Sequence, residues 1–584
     1  MAVAGVVGPC AGSGHRQLRH DGEAATMSTV RDSLRRLQVP DLAIRGWRPS
    51  MSGEALLALV CAYFVLACNG TFWQAVARAG TSPRVRIVLA VAVFALHACV
   101  LAPFAWRAAT RPVLAALLVL TACANWYASR YAVLFDVDML RNILHTDMAE
   151  SRELLSPGLL VHVAVAGGLP AALVLWTRVR IPSLRQDLRR RALFAIAMLA
   201  LALVALAIGS QGVFSLMRND HALRHRITPG NVLVSTVRAL SQEERGPAGP
   251  RETVAADARR IVGAAGPRRP RVLVLVVGET VRADHWGLNG YARQTTPELA
   301  RRDVVNFPDV TACGTSTEVS LPCMFSILGR EHYDRVAIRH QENLLDVLAR
   351  TGVAVAWRDN QSGCKGVCDA IGMQAMQPAQ APALCTGNRC LDAILLAGLR
   401  ERIEAADDDV LIVLHPLGNH GPNYFERYPA AFEHYRPTCR HGDPGRCSRE
   451  QIVNAYDNAI GYTDAVLGEL IDLLGAQHGH DAAMLYVSDH GESLGEYGLF
   501  LHGAPLAIAP RQQLQVPMTL WLSPAVTGSA GIDRDCLERI AGDAYSHDNL
   551  FDTVLGFFDV QTRDYRPARD ILHPCQRASA AARA

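Results

Sequence analysis

Two short apolar runs end in residues that could ligate one metal ion. RVLVLVVGET closes with Glu279, and AAMLYVSDHGES carries Asp489 and His490 directly after its apolar part. Each run is typical of a buried strand, and open α/β sheets bind their ligands at the carboxyl ends of such strands. Two carboxylates and an imidazole suit zinc and leave a fourth coordination position open. We therefore predict a zinc site formed by Glu279, Asp489 and His490.

A hydroxyl-rich loop between the two runs could supply the fourth ligand and a nucleophile. The loop reads TACGTSTEVSLPC and is bounded by Cys313 and Cys323. Coordination to a dication lowers the pKa of a hydroxyl and makes it nucleophilic near neutral pH. Thr317 is our choice, but the residue types alone do not separate it from Thr315 and Ser316.

Two histidines and one lysine lie close to these motifs. His420 in HPLGNHGP and His502 in LFLHGAP occur in Gly/Pro-rich loops and could protonate a leaving alkoxide or hold a second ion. A solvated loop histidine is the alternative for each, and His415 is interpreted as structural. The chain has 58 lysines and arginines together, and Lys365 is the only lysine. Its retention between two cysteines favours a compact ammonium that contacts a phosphate.

The second half of the chain alternates strand and helix patterns. Strands are predicted at 272–277, 353–357, 410–414 and 484–487, and helices at 343–350, 391–406 and 452–474. Such alternation predicts a largely parallel sheet flanked by helices.

Five apolar stretches in the first half are long enough to cross a membrane as helices, at roughly 54–74, 87–106, 112–135, 158–177 and 192–214. A soluble helical bundle would keep polar faces that these stretches lack. The leader and the segment between the fourth and fifth stretches are rich in arginine, which places both in the cytoplasm. An odd number of spans then sends everything after residue 214 to the other side.

The net charge of +3 gives no case for nucleic-acid binding.

Ten of the 15 cysteines lie between Cys313 and Cys575, in the part of the chain that this topology exports. Cysteines in an oxidising compartment favour disulfides, although a zinc site at Cys364 and Cys368 is the alternative for that pair. Sequence cannot fix the connectivity or assign Cys536 and Cys575. Close spacing suggests the pairs Cys313–Cys323, Cys364–Cys368, Cys385–Cys390 and Cys439–Cys447.

Several motifs together resemble the signatures of the lipid A phosphoethanolamine transferases, a family of the alkaline phosphatase superfamily. They are VVGETVRADHWGLNGY, ACGTSTEVSLPCMFS, WRDNQSGCKGVCD, GNHGPNYFERYP and SDHGESLGEYGLFLHGAP. The resemblance extends from the five spans to about residue 570. It implies an N-terminal transmembrane domain of five helices and a periplasmic α/β domain with an alkaline phosphatase/sulfatase-like, mostly parallel sheet.

The resemblance also implies roles for individual residues. Thr317 would carry phosphoethanolamine and join Glu279, Asp489 and His490 as a ligand of one tightly bound Zn²⁺. Substrate or a second zinc ion would contact Lys365, His420 and His502. The implied donor-lipid contacts are Asn142, Thr146 and Glu150 in DMLRNILHTDMAE, spaced by four and so on one face of a helix.

The implied reaction transfers phosphoethanolamine from phosphatidylethanolamine to a phosphate of lipid A at the outer face of the bacterial inner membrane, which would increase polymyxin resistance. Two alternatives stay open: the same chemistry on core oligosaccharide or another periplasmic glycan, and a catalytically silent membrane protein that binds lipid. A sulfatase is disfavoured because no Cys-x-Pro-x-Arg motif occurs near the nucleophile. The predicted division is a cytoplasmic leader without regular structure at 1–50, a transmembrane domain at 51–214, a linker with bridging helices at 215–265, a catalytic domain at 266–575 and a tail at 576–584.

Overall fold

The computed structural model of the protein describes residues 48–104, 106–146, 148–220, 222–243, 250–261 and 268–576. Met1–Ser50 and Met51–Ala584 are separate units, and every element discussed below belongs to the second. The predicted leader and tail therefore lie almost wholly outside the described residues.

Four described helices are long and apolar enough to cross a membrane: Pro83–Leu101, Arg107–Arg130, Pro157–Trp176 and Leu184–Ile208. A fifth span is formed if the bent pair Gly53–Ala67 and Gly70–Arg78 counts as one crossing. The last helix begins eight residues before its predicted start at 192, because the arginines ahead of the apolar run are good helix formers that a hydropathy criterion excludes. Most residues of this helix are exposed, as expected for a surface that faces lipid.

The bend in the first span lies at Asn69, where the two helices meet at 51°. The Asn69 amide nitrogen donates to the carbonyl oxygens of Phe64 and Thr228 at 2.8 and 2.7 Å, and its side-chain oxygen accepts from the Thr228 backbone N–H at 2.8 Å. A break in a membrane helix releases backbone polar groups that need new partners. The buried Asn69 side chain supplies them.

Two short helices lie between the spans Arg107–Arg130 and Pro157–Trp176, and two more follow the last span. They are Val137–His145, Met148–Glu153, Ser210–Asn219 and Gly230–Glu243. Leu140 of the first packs with Val232 of the last and with Phe135 in one apolar cluster. The third and fourth of these helices occupy much of the predicted linker at 215–265.

An eight-stranded sheet forms the centre of the soluble part. Its strands are β1 Arg271–Gly278, β2 Val304–Thr311, β3 Ala354–Asp359, β4 Gln374–Ala375, β5 Val410–His415, β6 Asp481–Ser488, β7 Gln515–Leu522 and β8 Tyr545–Ser546. The spatial order is β8-β2-β7-β6-β1-β5-β3-β4, and only the pairs β6/β7 and β7/β2 are antiparallel. The predicted, largely parallel α/β sheet is therefore confirmed.

Helices cover both faces of this sheet. Alternate residues of β1 enter two different cores. One core contains Leu273, Leu275 and Val277, and the other contains Val272, Val274 and Val276. Such alternation is the two-residue period of a strand that is buried on both sides. The first core also contains Leu344–Arg350 and Asp548–Phe557, and the second contains the long helix Arg449–Gly475.

The remaining soluble helices are short: Pro297–Ala300, Thr317–Met324, Arg335–His340, Leu399–Glu404, Arg511–Leu514, Pro524–Ser529 and Arg534–Ile540. The helix predicted at 391–406 is wrong as a single element. A 3₁₀ turn at Asp392–Leu396 precedes Gly398, whose φ of +68° ends the turn before the helix Leu399–Glu404 begins. A left-handed residue cannot continue a right-handed helix.

Five disulfides occur in the soluble part of the described chain. Four join the closely spaced cysteines singled out from the sequence, and the fifth joins Cys536 to Cys575. Cys364 and Cys368 are thus bonded to each other, which excludes the alternative zinc site at that pair.

Candidate active site and metal centre

The two strands at the centre of the sheet bring three acidic and imidazole side chains together. β1 and β6 are parallel neighbours in which Gly278 is opposite Ser488. Glu279 follows the first strand, and Asp489 and His490 follow the second, so their side chains emerge side by side. Ligand atoms of all three lie within 4.8 Å of one another, and all three residues are fully buried.

Thr317 lies against this group. It is the first residue of the helix Thr317–Met324, and its Oγ1 donates to Glu279 Oε2 at 3.0 Å. The same oxygen is 3.3 Å from His490 Nε2. One turn later, the Ser320 hydroxyl donates to the Asp489 carbonyl at 2.5 Å and so joins the start of the helix to the end of β6.

The donor set fits a metal ion. Among the described residues, Glu279 Oε1 and Asp489 Oδ2 are buried oxygens without a hydrogen-bond partner. Buried carboxylate oxygens are normally paired, so two such oxygens at one point favour a cation between them. His490 is oriented for the same purpose, because its Nδ1 lies 2.9 Å from the Gly491 carbonyl and its Nε2 faces the carboxylates.

Burial also determines the protonation of the group. Burial raises the pKa of the Asp489 carboxyl well above its usual value, and the charge of Glu279 adds to the rise. Burial and the charge of His502 lower the pKa of His490 to about 3. Two adjacent buried carboxylates cannot both ionise without a compensating positive charge. A dication would supply that charge and leave the imidazole neutral, as ligation requires.

Two further histidines, His420 and His502, form a histidine cluster with His490. The ring of His502 lies 4.4 Å from the ring of His490 and 5.4 Å from the ring of His420, measured between centroids. His502 Nδ1 is also 3.4 Å from the buried carboxylate of Glu492. The structure therefore brings His420 and His502 to the same centre. His415 Nδ1 lies 2.7 Å from Asp359 Oδ1, and the structural role of His415 stays a prediction.

The loop after β3 contributes a contact that the sequence did not indicate. Gln361 Nε2 donates to Glu279 Oε2 at 2.8 Å, the oxygen that also accepts from Thr317. Lys365 lies four residues further on, where its ammonium donates to the Ser362 hydroxyl at 2.9 Å. Gln361 lies beside Lys365 in the sequence, but a glutamine does not by its residue type indicate a contact with a metal ligand. Glu492 could have been suspected, since it is an acid within SDHGES.

The helix Val137–His145 reaches the loop that precedes Thr317. Asn142 lines a cavity of about 70 Å³ together with Thr315, Ser316 and Gly503. The Thr146 hydroxyl caps the same helix by donating to the Asn142 carbonyl at 2.7 Å. Thr315, one of the alternative nucleophiles, donates to the Ala504 carbonyl at 2.7 Å instead of to the carboxylates. The side chain of Glu150 lies outside the described residues.

Comparisons with known proteins match the whole architecture. Residues 93–243 match the family model described as phosphoethanolamine transferase EptA/EptB, and residues 271–560 match the sulfatase model. Phosphoethanolamine transferase EptA of Escherichia coli K12 is 38% identical over 543 residues, which cover 91% of this chain and 98% of that protein. The chain belongs to the phosphoethanolamine transferase family.

Two further relatives agree with this assignment. Phosphatidylethanolamine transferase Mcr-1 of Escherichia coli is 37% identical over 88% of this chain and 96% of its own length. The solved structure of the integral membrane lipooligosaccharide phosphoethanolamine transferase A from Neisseria meningitidis superposes with a TM-score of 0.86 at 37% identity, covering 91% of this chain and all of that one. This family member is thus a multi-pass membrane transferase with a sulfatase-like domain, and its acid, imidazole and hydroxyl cluster lies within the sulfatase match.

Proposed function

We propose that this transferase moves phosphoethanolamine from phosphatidylethanolamine to a phosphate of lipid A through a phosphoethanolamine–Thr317 intermediate. The observation that carries the proposal is the position of the Thr317 hydroxyl between Glu279 and His490. The Thr317 hydroxyl contacts the side chains of two candidate metal ligands, whereas Ser320 of the same loop bonds the backbone carbonyl of Asp489. The names of the relatives, which are phosphoethanolamine and phosphatidylethanolamine transferases, support this choice of transferred group.

Glu279, Thr317, Asp489 and His490 would hold one Zn²⁺, with a second ion possible at the histidine cluster. When bound, zinc lowers the pKa of a coordinated hydroxyl and offsets negative charge on a phosphoryl group. Glu279 orients the hydroxyl by accepting its hydrogen bond, and Gln361 holds the same carboxylate from the other side. Thr317 also begins a helix, whose amino-terminal N–H groups favour an anionic group at that point.

In the first half of the reaction, the Thr317 hydroxyl gives its proton to Glu279, which accepts its hydrogen bond, and Oγ1 forms a bond to the phosphorus of the donor. The bond from phosphorus to the glycerol oxygen breaks, and diacylglycerol leaves after its alkoxide takes a proton. His420 and His502 are the candidate proton donors, since their rings lie in one cluster beside the metal ligands. Lys365, held by Ser362, would contact the phosphate oxygens, and Asn142, Thr146 and Glu150 would contact the donor headgroup.

We further propose the matching topology. Residues 51–214 would form the transmembrane domain of a bacterial inner-membrane protein, 215–265 the linker and 266–575 the catalytic domain in the periplasm. Residues 1–50 would then face the cytoplasm, and 576–584 would be a tail. Five disulfides in the soluble part support an oxidising compartment for that part. Restriction of both lipid substrates and the anchored domain to one leaflet would raise their effective concentration.

Intact-mass analysis of the purified protein in phosphatidylethanolamine-containing micelles tests the intermediate. We expect a phosphoethanolamine adduct that peptide sequencing places on Thr317. It should disappear in Thr317→Ala and persist in Thr315→Ala and Ser316→Ala, which remove neighbouring hydroxyls. An adduct that survives Thr317→Ala would refute the assignment. If Thr317→Ala changes neither adduct nor lipid composition, the silent lipid-binding alternative stands.

Mass spectrometry of lipid A from expressing cells tests the acceptor. Modified lipid A should accompany increased polymyxin resistance, because an added ammonium weakens attraction for cationic peptides. Unmodified lipid A with a modified core oligosaccharide would identify the other acceptor class.

A further inference from the structure

A large cavity lies beside the candidate metal centre, apart from the cavity at Asn142. It has a volume of about 710 Å³ and is lined on its inner side by Gln361 and His420. Gln361 bonds the same Glu279 oxygen that accepts from Thr317, so the cavity begins one side chain away from the nucleophile. It shares no lining residue with the 70 Å³ cavity at Asn142. Two separate cavities thus adjoin the surroundings of Thr317.

The large cavity contains more positive than negative charge. Arg152, Arg389 and Arg427 line it together with the carboxylates of Glu153 and Glu426. Glu153 accepts from Arg389 at 2.5 Å and from Arg427 at 2.6 Å, while Arg389 also pairs with Glu426. Arg152 has no carboxylate partner among the described residues, so one guanidinium charge is not balanced by an acid.

The charged groups are held firmly. The Arg427 side chain is 1% exposed and its Nε donates to the His420 carbonyl at 2.7 Å, which connects the arginine to the histidine cluster. Glu153 is 7% exposed although it belongs to the short helix Met148–Glu153 beside the membrane spans. A buried ion pair of this kind fixes geometry more than it adds stability. The wall of the cavity is therefore a prearranged surface that includes a residue from the membrane side of the molecule.

The chemistry of the wall suits a phosphorylated sugar. Guanidinium groups bind phosphate through paired hydrogen bonds, and an amide such as that of Asn388 can bond sugar hydroxyls. The volume is in the range of pockets that hold whole ligands and is far larger than a single phosphate needs. We propose that this cavity binds the phosphorylated hexosamine of the acceptor, while the donor headgroup enters from the Asn142 side.

This inference rests on the proposed function, because it assigns a place to the second substrate of that reaction. An oxygen of the acceptor phosphate attacks the phosphorus carried by Thr317. The new phosphorus–oxygen bond forms as the bond to Thr317 Oγ1 breaks, and the threonine hydroxyl regains a proton. The product is a diphosphate that carries ethanolamine.

The test separates the two halves of the reaction in the full-length protein. Adduct formation is timed with phosphatidylethanolamine alone, and adduct loss is then timed after adding purified lipid A at several concentrations. Arg389→Gln is the first variant, because Arg389 is 34% exposed and its removal leaves Glu153 paired with Arg427. It also takes from Glu426 its arginine partner, so the cavity loses one positive charge. Arg350→Gln is its control, since Arg350 is 33% exposed, is paired with Glu342 and does not line the cavity. Thr386→Trp is a second variant that fills the cavity without changing its charge.

We expect both cavity variants to load at the wild-type rate. Adduct loss at low lipid A should be slower in both variants, with a raised KM for lipid A. Arg389→Gln should slow it by at least about tenfold, as expected when a charged hydrogen-bonding group is lost, and Thr386→Trp should slow it because the indole occupies space that the sugar needs. The control should match the wild type in both steps. Slower loading with normal discharge would assign the cavity to the donor phosphate, and unchanged kinetics would show that it binds neither substrate. Either result overturns the inference. Failure of the wild type to form an adduct at all would refute the proposed function instead.

Discussion

Replacing Gln361 with leucine should weaken zinc binding without abolishing the chemistry. Gln361 Nε2 donates to Glu279 Oε2 at 2.8 Å, and that carboxylate is fully buried. A hydrogen bond to a charged group contributes about 1.5–3 kcal/mol, which corresponds to roughly 10- to 150-fold in an equilibrium constant. Loss of an outer partner of a metal ligand typically costs about 10–100-fold in affinity. The two estimates agree, so the Kd for Zn²⁺ should rise by roughly 10–100-fold.

Competition with a chromogenic chelator on the detergent-solubilised protein measures this Kd directly. Saturating zinc should restore most of the rate of adduct formation, because Gln361→Leu leaves Thr317 and all three protein ligands in place. Gln341→Leu is the matched control, since its amide donates to Glu252 Oε2 at 3.2 Å on the exposed surface. If Gln361→Leu binds zinc as tightly as the wild type and Gln341→Leu, the carboxylate does not depend on this amide and the reasoning fails.

Three further perturbations test the surroundings of the site. Gly418→Ala should abolish zinc binding, because φ is +53° at this residue and a Cβ would lie 2.8 Å from Glu279 Cβ. Gly542→Ala is the control, since its Cβ would meet open space and zinc affinity should be unchanged in the same chelator assay. Retained zinc affinity in Gly418→Ala would contradict this packing. Burial lowers the pKa of His547 to about 4. Between pH 6.5 and 4 the unfolded chain therefore binds a proton at this residue that the folded chain does not bind. The free energy of unfolding should fall by up to about 3 kcal/mol as the pH falls through that range. Unfolding midpoints measured against pH should fall less steeply in His547→Gln, and equal slopes would exclude His547 as a cause. Opening the Cys536–Cys575 disulfide, which spans 39 residues, should lower the free energy of unfolding by about 4 kcal/mol, measured by denaturant unfolding. Opening Cys364–Cys368, which spans four residues, should lower it by about 2 kcal/mol. Equal losses would argue against loop entropy as the origin of the stabilisation.

The sheet and the chemistry at its edge were accessible from the sequence because their signals are local. β1, β3, β5 and β6 are apolar runs, and parallel strands place their carboxyl ends together, so Glu279, Asp489 and His490 could be expected at one edge. β2 and β7, the second and third strands of the sheet, were not predicted, and each contains a proline. β2 contains Pro308 and alternates between buried and half-buried residues, since only one part of its surface meets the core.

The contacts that complete the site could not be inferred in the same way. Gln361 and Glu492 are placed by loops that return from distant strands, and nothing in their neighbouring residues marks the direction of their side chains. Choosing Thr317 over Thr315 and Ser316 needed the resemblance to a family, because three adjacent hydroxyls differ only in where the helix Thr317–Met324 begins. The break at Gly398 was missed because an apolar helical pattern continues across it.

The bend at Asn69 has a consequence for biogenesis. One hydrogen-bond partner of this amide, Phe64, is five residues away, but the other contacts are to Thr228, 159 residues later. The first crossing is inserted long before Thr228 is synthesised. The Asn69 side-chain oxygen therefore enters the bilayer before the Thr228 N–H that it accepts from is available. The contacts that join Asn69 to Thr228 can therefore form only after the last apolar helix, Leu184–Ile208, has been synthesised, so this part of the bundle is completed late in biogenesis.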